Sequence, residues 1–369
     1  MIKVLHIQET IGSGGVERLR LSLSKLLDKN KFELKIVCTN FGGGIKQEIE
    51  SNGVEVISIG KFNGVFDIKN HIKIQKIISK FKPHIVHGAV FEGVTLAAIN
   101  GFIKKVPIII IEETSDPQNR SWRGNLLMKF FAKLSNCVIG VSPGVMEYLH
   151  QTLNISKDKA VLINNGVRIP RKVSEEETLE LNSKLGIEPN DIVIGSVGRM
   201  QLDEHKRFSD LIKAFSIVNQ SISNTKLLLV GSGFELSNYK SLATKLGISD
   251  KVIFANYQSD VTLYYKSMHI FSLVSSFEAF GLVLAEAMLC KLPIVATNVG
   301  GMKNIVKENE TGFLVNKHDV NAISEKISLL CNDSKLRSDF GIKGYEIAID
   351  NYTEIKYVES IESLYKNLL

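Results

Sequence analysis

Cysteine is scarce and scattered. Cys38, Cys137, Cys290 and Cys331 lie far apart, which excludes a dense disulfide framework and any paired metal-ligand spacing. They read as buried reduced thiols of a cytosolic protein. With 7 prolines, 44% apolar residues and 23% charged residues, the composition is that of a soluble globular protein. No apolar run approaches the roughly 18–20 residues of a membrane span. The longest, VPIIII at 106–111, has the length of a buried strand. The first residues, MIKVLHIQ, enter a strand directly, so a signal peptide is not expected. No Asp-x-Asp occurs, which removes the usual carboxylate pair for Mg²⁺. No short repeat or low-complexity tract is present.

What is present is alternation. Short apolar runs at 2–8, 32–38, 54–59, 84–88, 106–111, 136–141 and 159–163 predict seven strands. A second series lies at 192–197, 226–231, 251–256, 269–274, 293–297 and 312–315. Amphipathic stretches such as DLIKAFSIVNQ separate them, and this pattern predicts parallel sheets with helices on both faces. The charged, strandless stretch 168–190 reads as a linker. The expected architecture is α/β: two Rossmann-like, doubly wound parallel-sheet domains at 1–170 and 171–351, with an interdomain cleft. In such sheets ligands meet the loops at the carboxyl ends of strands.

Charge is uneven. The chain carries a net +6, with 23 Lys+Arg against 14 Asp+Glu in residues 1–170 and 22 against 25 in the remainder. The basic half suits an anionic partner.

The first glycine-rich loop, GSGGVER at 12–18, lets backbone approach a phosphate at a helix N-terminus. A dinucleotide fingerprint needs a third glycine where Glu17 stands and an acid after the second strand, which ends IVCTN. Nicotinamide chemistry is therefore rejected. A second glycine loop, GSGFEL at 231–236, also lacks the third glycine; either loop reads equally as a tight turn.

Arg199 falls just past strand 192–197, with Lys206 and Arg207 at the start of the next helix. An arginine fork and a lysine point charge there suit a diphosphate. The segment SSFEAFGLVLAEAM at 275–288 places Glu278 and Glu286 eight residues apart in apolar surroundings. Read as one helix starting near Glu278, it separates them by about 12 Å of rise and about 80° of rotation. That is too far for a retaining-glycosidase pair, at about 5 Å, and points instead to hydroxyl recognition. The amides of Phe280, Gly281 and Leu282 would then lie in the first turn, free for phosphate oxygens.

Together these segments, with VSPGV at 141–145, NNGV at 164–167, PIVATNVGG at 293–301 and ETGFLV at 310–315, resemble the retaining glycosyltransferases of family four, which have the GT-B fold. The resemblance implies roles residue by residue. Arg199 and Lys206 would bind and stabilise the donor diphosphate, Glu286 would hold the ribose, and Glu278 would contact the donor sugar. Phe280, Gly281 and Leu282 would present backbone, and Gly14 and Gly15 would approach the phosphates. It implies a nucleotide-sugar donor, a UDP-sugar first among them, no metal or other cofactor, and a saccharide or lipid-linked acceptor. It also implies cytoplasmic work in surface polysaccharide or glycolipid synthesis, and no nucleic-acid partner. The sequence departs from the family at Ala279 and Arg207, where glycine is common, and at Asn304, where an acid is common. Where the family often has a histidine, the chain reads EETSDP at 112–117, leaving Glu112, Glu113 and Thr114 open for that role. His87 is open between a ligand-facing and a structural role. The alternatives are a nucleotide-sugar epimerase or hydrolase of the same fold, and a non-catalytic sugar-nucleotide-binding subunit.

Two first-half helices are basic and amphipathic. One has Ile68, Ile72, Ile77, Ile78 and Phe81 among lysines; the other has Trp122, Leu126, Leu127, Phe130, Phe131 and Leu134 with Arg123, Lys129 and Lys133. Packing of the apolar sides on the sheet is the first expectation, and contact with the inner membrane leaflet is the second. The last helix, within 352–369, is expected to return to the first domain.

Overall fold

A computed structural model describes residues 1–12, 14–41, 44–115 and 120–369. Ser13 of the first glycine loop and Asp116 and Pro117 of EETSDP lie outside the described residues. The chain forms two compact units, Met1–Gly166 with Thr353–Leu369, and Val167–Tyr352.

In the first unit the elements are β1 (Ile2–Ile11), α1 (Gly15–Leu26), β2 (Phe32–Phe41), α2 (Ile45–Ser51), β3 (Glu55–Ser58), α3 (Ile68–Phe81) and β4 (Ile85–Ala89). They continue with α4 (Val90–Ile103), β5 (Ile108–Glu113), α5 (Trp122–Leu134), β6 (Cys137–Gly140), α6 (Pro143–Gln151) and β7 (Ala160–Leu162). The seven strands run parallel in the order β3-β2-β1-β4-β5-β6-β7. Alternation in β1 splits the core between its two faces. Val4 packs with Leu19 and Leu23 of α1, whereas Leu5 and Ile7 pack with Ile74 and Ile78 of α3 and Leu96 of α4. Gly93 lets α4 lie directly on β1, since a Cβ there would overlap the Ile7 carbonyl.

The second unit contains α7 (Glu175–Leu185), β8 (Ile192–Val197), α8 (Asp203–Lys206), α9 (Phe208–Ser221), β9 (Thr225–Val230), α10 (Leu236–Lys245), β10 (Val252–Phe254) and α11 (Thr262–Lys266). It continues with β11 (Ile270–Leu273), α12 (Leu282–Leu289), β12 (Ile294–Thr297), α13 (Met302–Ile305), β13 (Gly312–Val315), α14 (Val320–Asn332) and α15 (Ser334–Asn351). Its parallel sheet has the order β10-β9-β8-β11-β12-β13. The final helix, α16 (Glu354–Asn367), belongs to the first unit, where Tyr357, Ile361 and Tyr365 join the α1-side core.

Two sequence expectations need correction. The stretch expected as a linker holds α7, started by a capping box between Ser174 and Glu177 and burying none of its residues. The amphipathic helices also do not bury all their apolar side. Ile78 and Phe81 of α3 and Met128 and Phe131 of α5 are buried, but Ile68 and Ile72 are exposed, as are Trp122 (71%), Leu126 (61%) and Phe130 (49%). Each apolar stripe is wider than the face the sheet covers. All four cysteines are free and buried. Burial pushes their thiols up, Cys290 to about 12.

Candidate functional site

The loops after β8, β9, β11 and β12 meet at one edge of the second sheet. Gly231, at φ 144°, lies so close that a Cβ would overlap the Gly198 carbonyl; Gly198 N–H donates to Val230 and Met200 N–H to Ser232. The second glycine loop thus serves loop-on-loop packing. This holds Arg199 on the β8 loop, exposed, with no ion pair or hydrogen bond among the described residues.

Lys206 closes the single turn of α8. Its Nζ donates to Glu278 Oε2 at 2.6 Å, so the strand-following loops bring two expected site residues together. Both side chains are mostly shielded, at 14% and 18% exposure. Arg207, by contrast, has a structural task. It turns the chain between α8 and α9 at φ 55°, and its guanidinium grips Asp210 at 2.8 and 2.9 Å. This left-handed conformation is where glycine is free of strain, which accounts for glycine at that point in the family pattern. The β8 and β11 loops are tied by Ser276 N–H to the His205 carbonyl at 2.9 Å and by the His205–Phe277 ring contact.

The helix expected to begin near Glu278 begins at Leu282. Gly281 caps it at φ 96°, and the preceding residues form a loop anchored by Gly301 N–H to the Glu278 carbonyl at 2.8 Å. Gly301 has no room for a Cβ against Ala279. The helical 12 Å separation of the two glutamates therefore does not apply, and the first turn is Leu282–Leu284 rather than 280–282. The amides of Phe280, Gly281 and Leu282 still donate to no protein acceptor among the described residues. Phe280 keeps its ring in the core against Tyr352. Glu286, four residues into α12 and half-buried, accepts from Tyr265 Oη at 2.8 Å.

In the first unit Gly14 caps α1 and Gly15 begins it. Thr10 Oγ1 donates to Glu17 Oε1 at 2.8 Å, and the Glu17 carboxylate lies against the Gly14 Cα. The helix N-terminus is thus faced by the chain's own anion.

Glu112 and Glu113, adjacent on β5, point to opposite faces. Glu112 is buried against Arg20 at 2.6 Å. The same guanidinium donates to Gln8 at 3.0 Å and to Tyr357 at 2.9 Å. His87 shares a 2.8 Å hydrogen bond with Tyr365 and lies 3.4 Å from Glu112, so it is structural. Burial raises the Glu112 carboxyl, but Arg20 and His87 pull it down further, to about 2. Burial, then the charges of Arg20 and His87, hold His6 well below the usual imidazole range. His6, His87 and Glu112 place ligand-type atoms within 4.8 Å of one another, but Arg20 already neutralises their one carboxylate. Arg20, His6, Tyr357 and Tyr365 were not singled out from sequence. Their one signal is polar His6 and Gln8 following Ile2 and Val4 on the same face of β1.

Glu113 faces a cavity of about 110 Å³, lined also by Glu112, Thr114, Ser115 and Arg120. Its Oε1 accepts from the Ser115 hydroxyl at 2.6 Å and from Arg120 Nη2 at 2.8 Å. Its Oε2 and Arg120 Nη1 are buried without a hydrogen-bond partner among the described residues. Burial raises the Glu113 carboxyl, and Arg120 and Ser115 only partly offset this.

Two family models tile the chain: Glycosyltransferase Family 4 over residues 13–171 and Glycosyl transferases group 1 over 177–347. The chain belongs to the family-four glycosyltransferases. This glycosyltransferase is 28% identical over 359 residues to the capsular polysaccharide biosynthesis glycosyltransferase CapM of Staphylococcus aureus, covering 94% of this chain and 92% of the relative. It is 22% identical to the UDP-Gal:alpha-D-GlcNAc-diphosphoundecaprenol alpha-1,3-galactosyltransferase of Escherichia coli, covering 100% and 97%. Its fold matches crystallised HepE of Anabaena in complex with UDP and glucose, with TM-score 0.87 at 19% identity and full coverage of both chains. It also matches WaaG, a lipopolysaccharide-biosynthesis glycosyltransferase, with TM-score 0.76 at 15% identity and 99% coverage of both. The GT-B fold is thereby shown. Among the described residues no helix is long and apolar enough to cross a membrane.

Proposed function

We propose that this enzyme transfers a hexosyl group from a nucleotide-sugar, a UDP-sugar first among candidates, to a hydroxyl of a saccharide or lipid-linked acceptor with retention at the anomeric carbon. The observation that carries the reading is the second unit's set of polar groups: exposed Arg199, the Lys206–Glu278 pair, and the amides of residues 280–282, which donate to no acceptor among the described residues. Glu286 takes the ribose hydroxyls and Glu278 the donor sugar. Gly14 and Gly15 are proposed as further main-chain donors to the phosphates.

When the anomeric C–O bond breaks, positive charge grows on the sugar and negative charge on the diphosphate. Arg199, Lys206 and the helix-end amides are fixed donors for that developing anion. Lysine has three N–H donors, so Lys206 can keep Glu278 while binding a phosphate oxygen. The acceptor oxygen attacks the face that the diphosphate leaves, and its proton passes to the departing phosphate oxygen. No step requires a divalent cation, so the reading is metal-independent.

A lipid-linked acceptor fits the exposed stripe of α5. Trp122, Leu126 and Phe130 recur at helical spacing beside Arg123 and Lys133, a combination suited to an anionic bilayer surface. Synthesis of a surface polysaccharide or glycolipid at the inner leaflet is the proposed setting.

Thermal unfolding with UDP, GDP and ADP tests the donor site. At 100 times its dissociation constant a ligand adds about 2.7 kcal/mol of stability, and turnover in EDTA should be unchanged. No shift with any of the three, or activity lost on chelation, would sink the proposal.

A further inference from the structure

The Glu113 cavity belongs to the first unit, and the donor reading does not use it. Its wall is two-sided. Val90, Phe91, Val94 and Met128 supply apolar surface, while Glu113 and Arg120 supply polar atoms. Glu113 is 2% exposed. Its Oε2 is an unpaired acceptor and Arg120 Nη1 an unpaired donor. The neighbouring Tyr148 hydroxyl donates to Asn125 Oδ1 at 2.7 Å, and its oxygen faces the Arg120 guanidinium.

Buried polar atoms without partners call for a ligand or ordered water that completes them. The complement here has one N–H, one carbonyl oxygen and a small apolar end. An anion is disfavoured, because Glu113 is acidic and Glu112 also lines the wall. A bare hydroxyl satisfies one polar atom and leaves the apolar wall uncovered. A cavity of about 150 Å³ accommodates benzene, so about 110 Å³ accommodates a group of four non-hydrogen atoms.

We propose that the acceptor is an N-acetylated amino sugar whose acetamido group enters this cavity, its N–H on Glu113 Oε2, its carbonyl on Arg120 Nη1 and its methyl among Val90, Val94 and Met128. The inference rests on the transferase reading and gives its acceptor a chemical class. Glu113, not Glu112 or Thr114, is then the acceptor-binding residue, since Glu112 is committed to Arg20.

Saturation-transfer NMR with the methyl α-glycosides of N-acetylglucosamine, N-acetylgalactosamine, glucose and galactose tests it on the full chain. The expected result is strongest saturation at the acetyl methyl and at least about tenfold tighter binding of one N-acetylated glycoside than of its parent hexoside. Glu113→Gln turns an acceptor into a donor facing the ligand N–H and should remove that preference. Val94→Phe fills the cavity and should do the same. UDP, GDP and ADP stabilisation is read on the same samples. A retained nucleotide shift with equal binding of acetylated and parent glycosides overturns the acceptor inference alone. Loss of the acetyl preference together with absence of any nucleotide shift in the wild type overturns both readings.

Discussion

Arg20→Met probes the buried polar network that joins β1, β5 and α16. The guanidinium is fully buried and donates to Glu112 at 2.6 Å, Gln8 at 3.0 Å and Tyr357 at 2.9 Å. Methionine matches its stem but leaves the Glu112 carboxylate buried without its counter-charge. Breaking a buried pair from one side costs about 3–5 kcal/mol. For a unit of 150–250 residues each kcal/mol moves Tm by about 2–4 °C, so the midpoint should fall by about 6–20 °C. Adding Glu112→Gln removes the orphaned charge and should recover at least half of the loss, a coupling of at least about 1.5 kcal/mol in a double-mutant cycle. Because Tyr357 lies on α16, hydrogen exchange should also rise along 354–367 in the single variant. Urea unfolding of the four proteins measures the cycle. A loss below about 1 kcal/mol for Arg20→Met, or strict additivity, would refute the reading of Arg20 and Glu112 as a coupled buried pair.

Arg199→Ala should lower kcat by about 10²–10³, the usual cost of one donor to a developing anion, with urea stability unchanged within about 0.5 kcal/mol because the residue is exposed. Glu286→Gln should chiefly raise the donor KM, read by initial rates at varied nucleotide-sugar. Acid should destabilise the protein from about pH 6.5 downward. His6 and His87 have lowered folded-state pKa values, so the unfolded chain takes up protons first. Their contribution is full above the ordinary value near 6.5 and is lost as pH falls, by up to about 1.4 kcal/mol per pH unit for each histidine. Glu112, held at about 2, adds a further loss below its ordinary value near 4.3. A flat urea midpoint from pH 7.5 to 5.5 contradicts this. Sedimentation with anionic vesicles should weaken when Trp122, Leu126 and Phe130 become serine; binding that is equal on neutral lipid rejects the α5 surface.

The strands and their loops were legible because apolar runs and βα alternation are local properties, and a parallel sheet puts its chemistry after its strands. Arg199, Lys206 and Glu278 could therefore be selected before any coordinates. The start of α12 could not. It depends on Gly281 adopting φ 96° while Gly301 packs on Ala279, a contact made by a different loop. The Arg20 network was equally hidden, since its partners lie 92 and 337 residues away in the chain. The exposed stripe of α5 has the same origin. Periodicity shows that one side of a helix is apolar, but only the packed neighbours decide how much of that side is covered. Sequence determined which elements form and where the strand-following loops fall, because those follow from short-range pattern. Tertiary structure decided which polar groups are paired and which stand open to a ligand, because pairing joins residues whose separation along the chain carries no signal of their meeting.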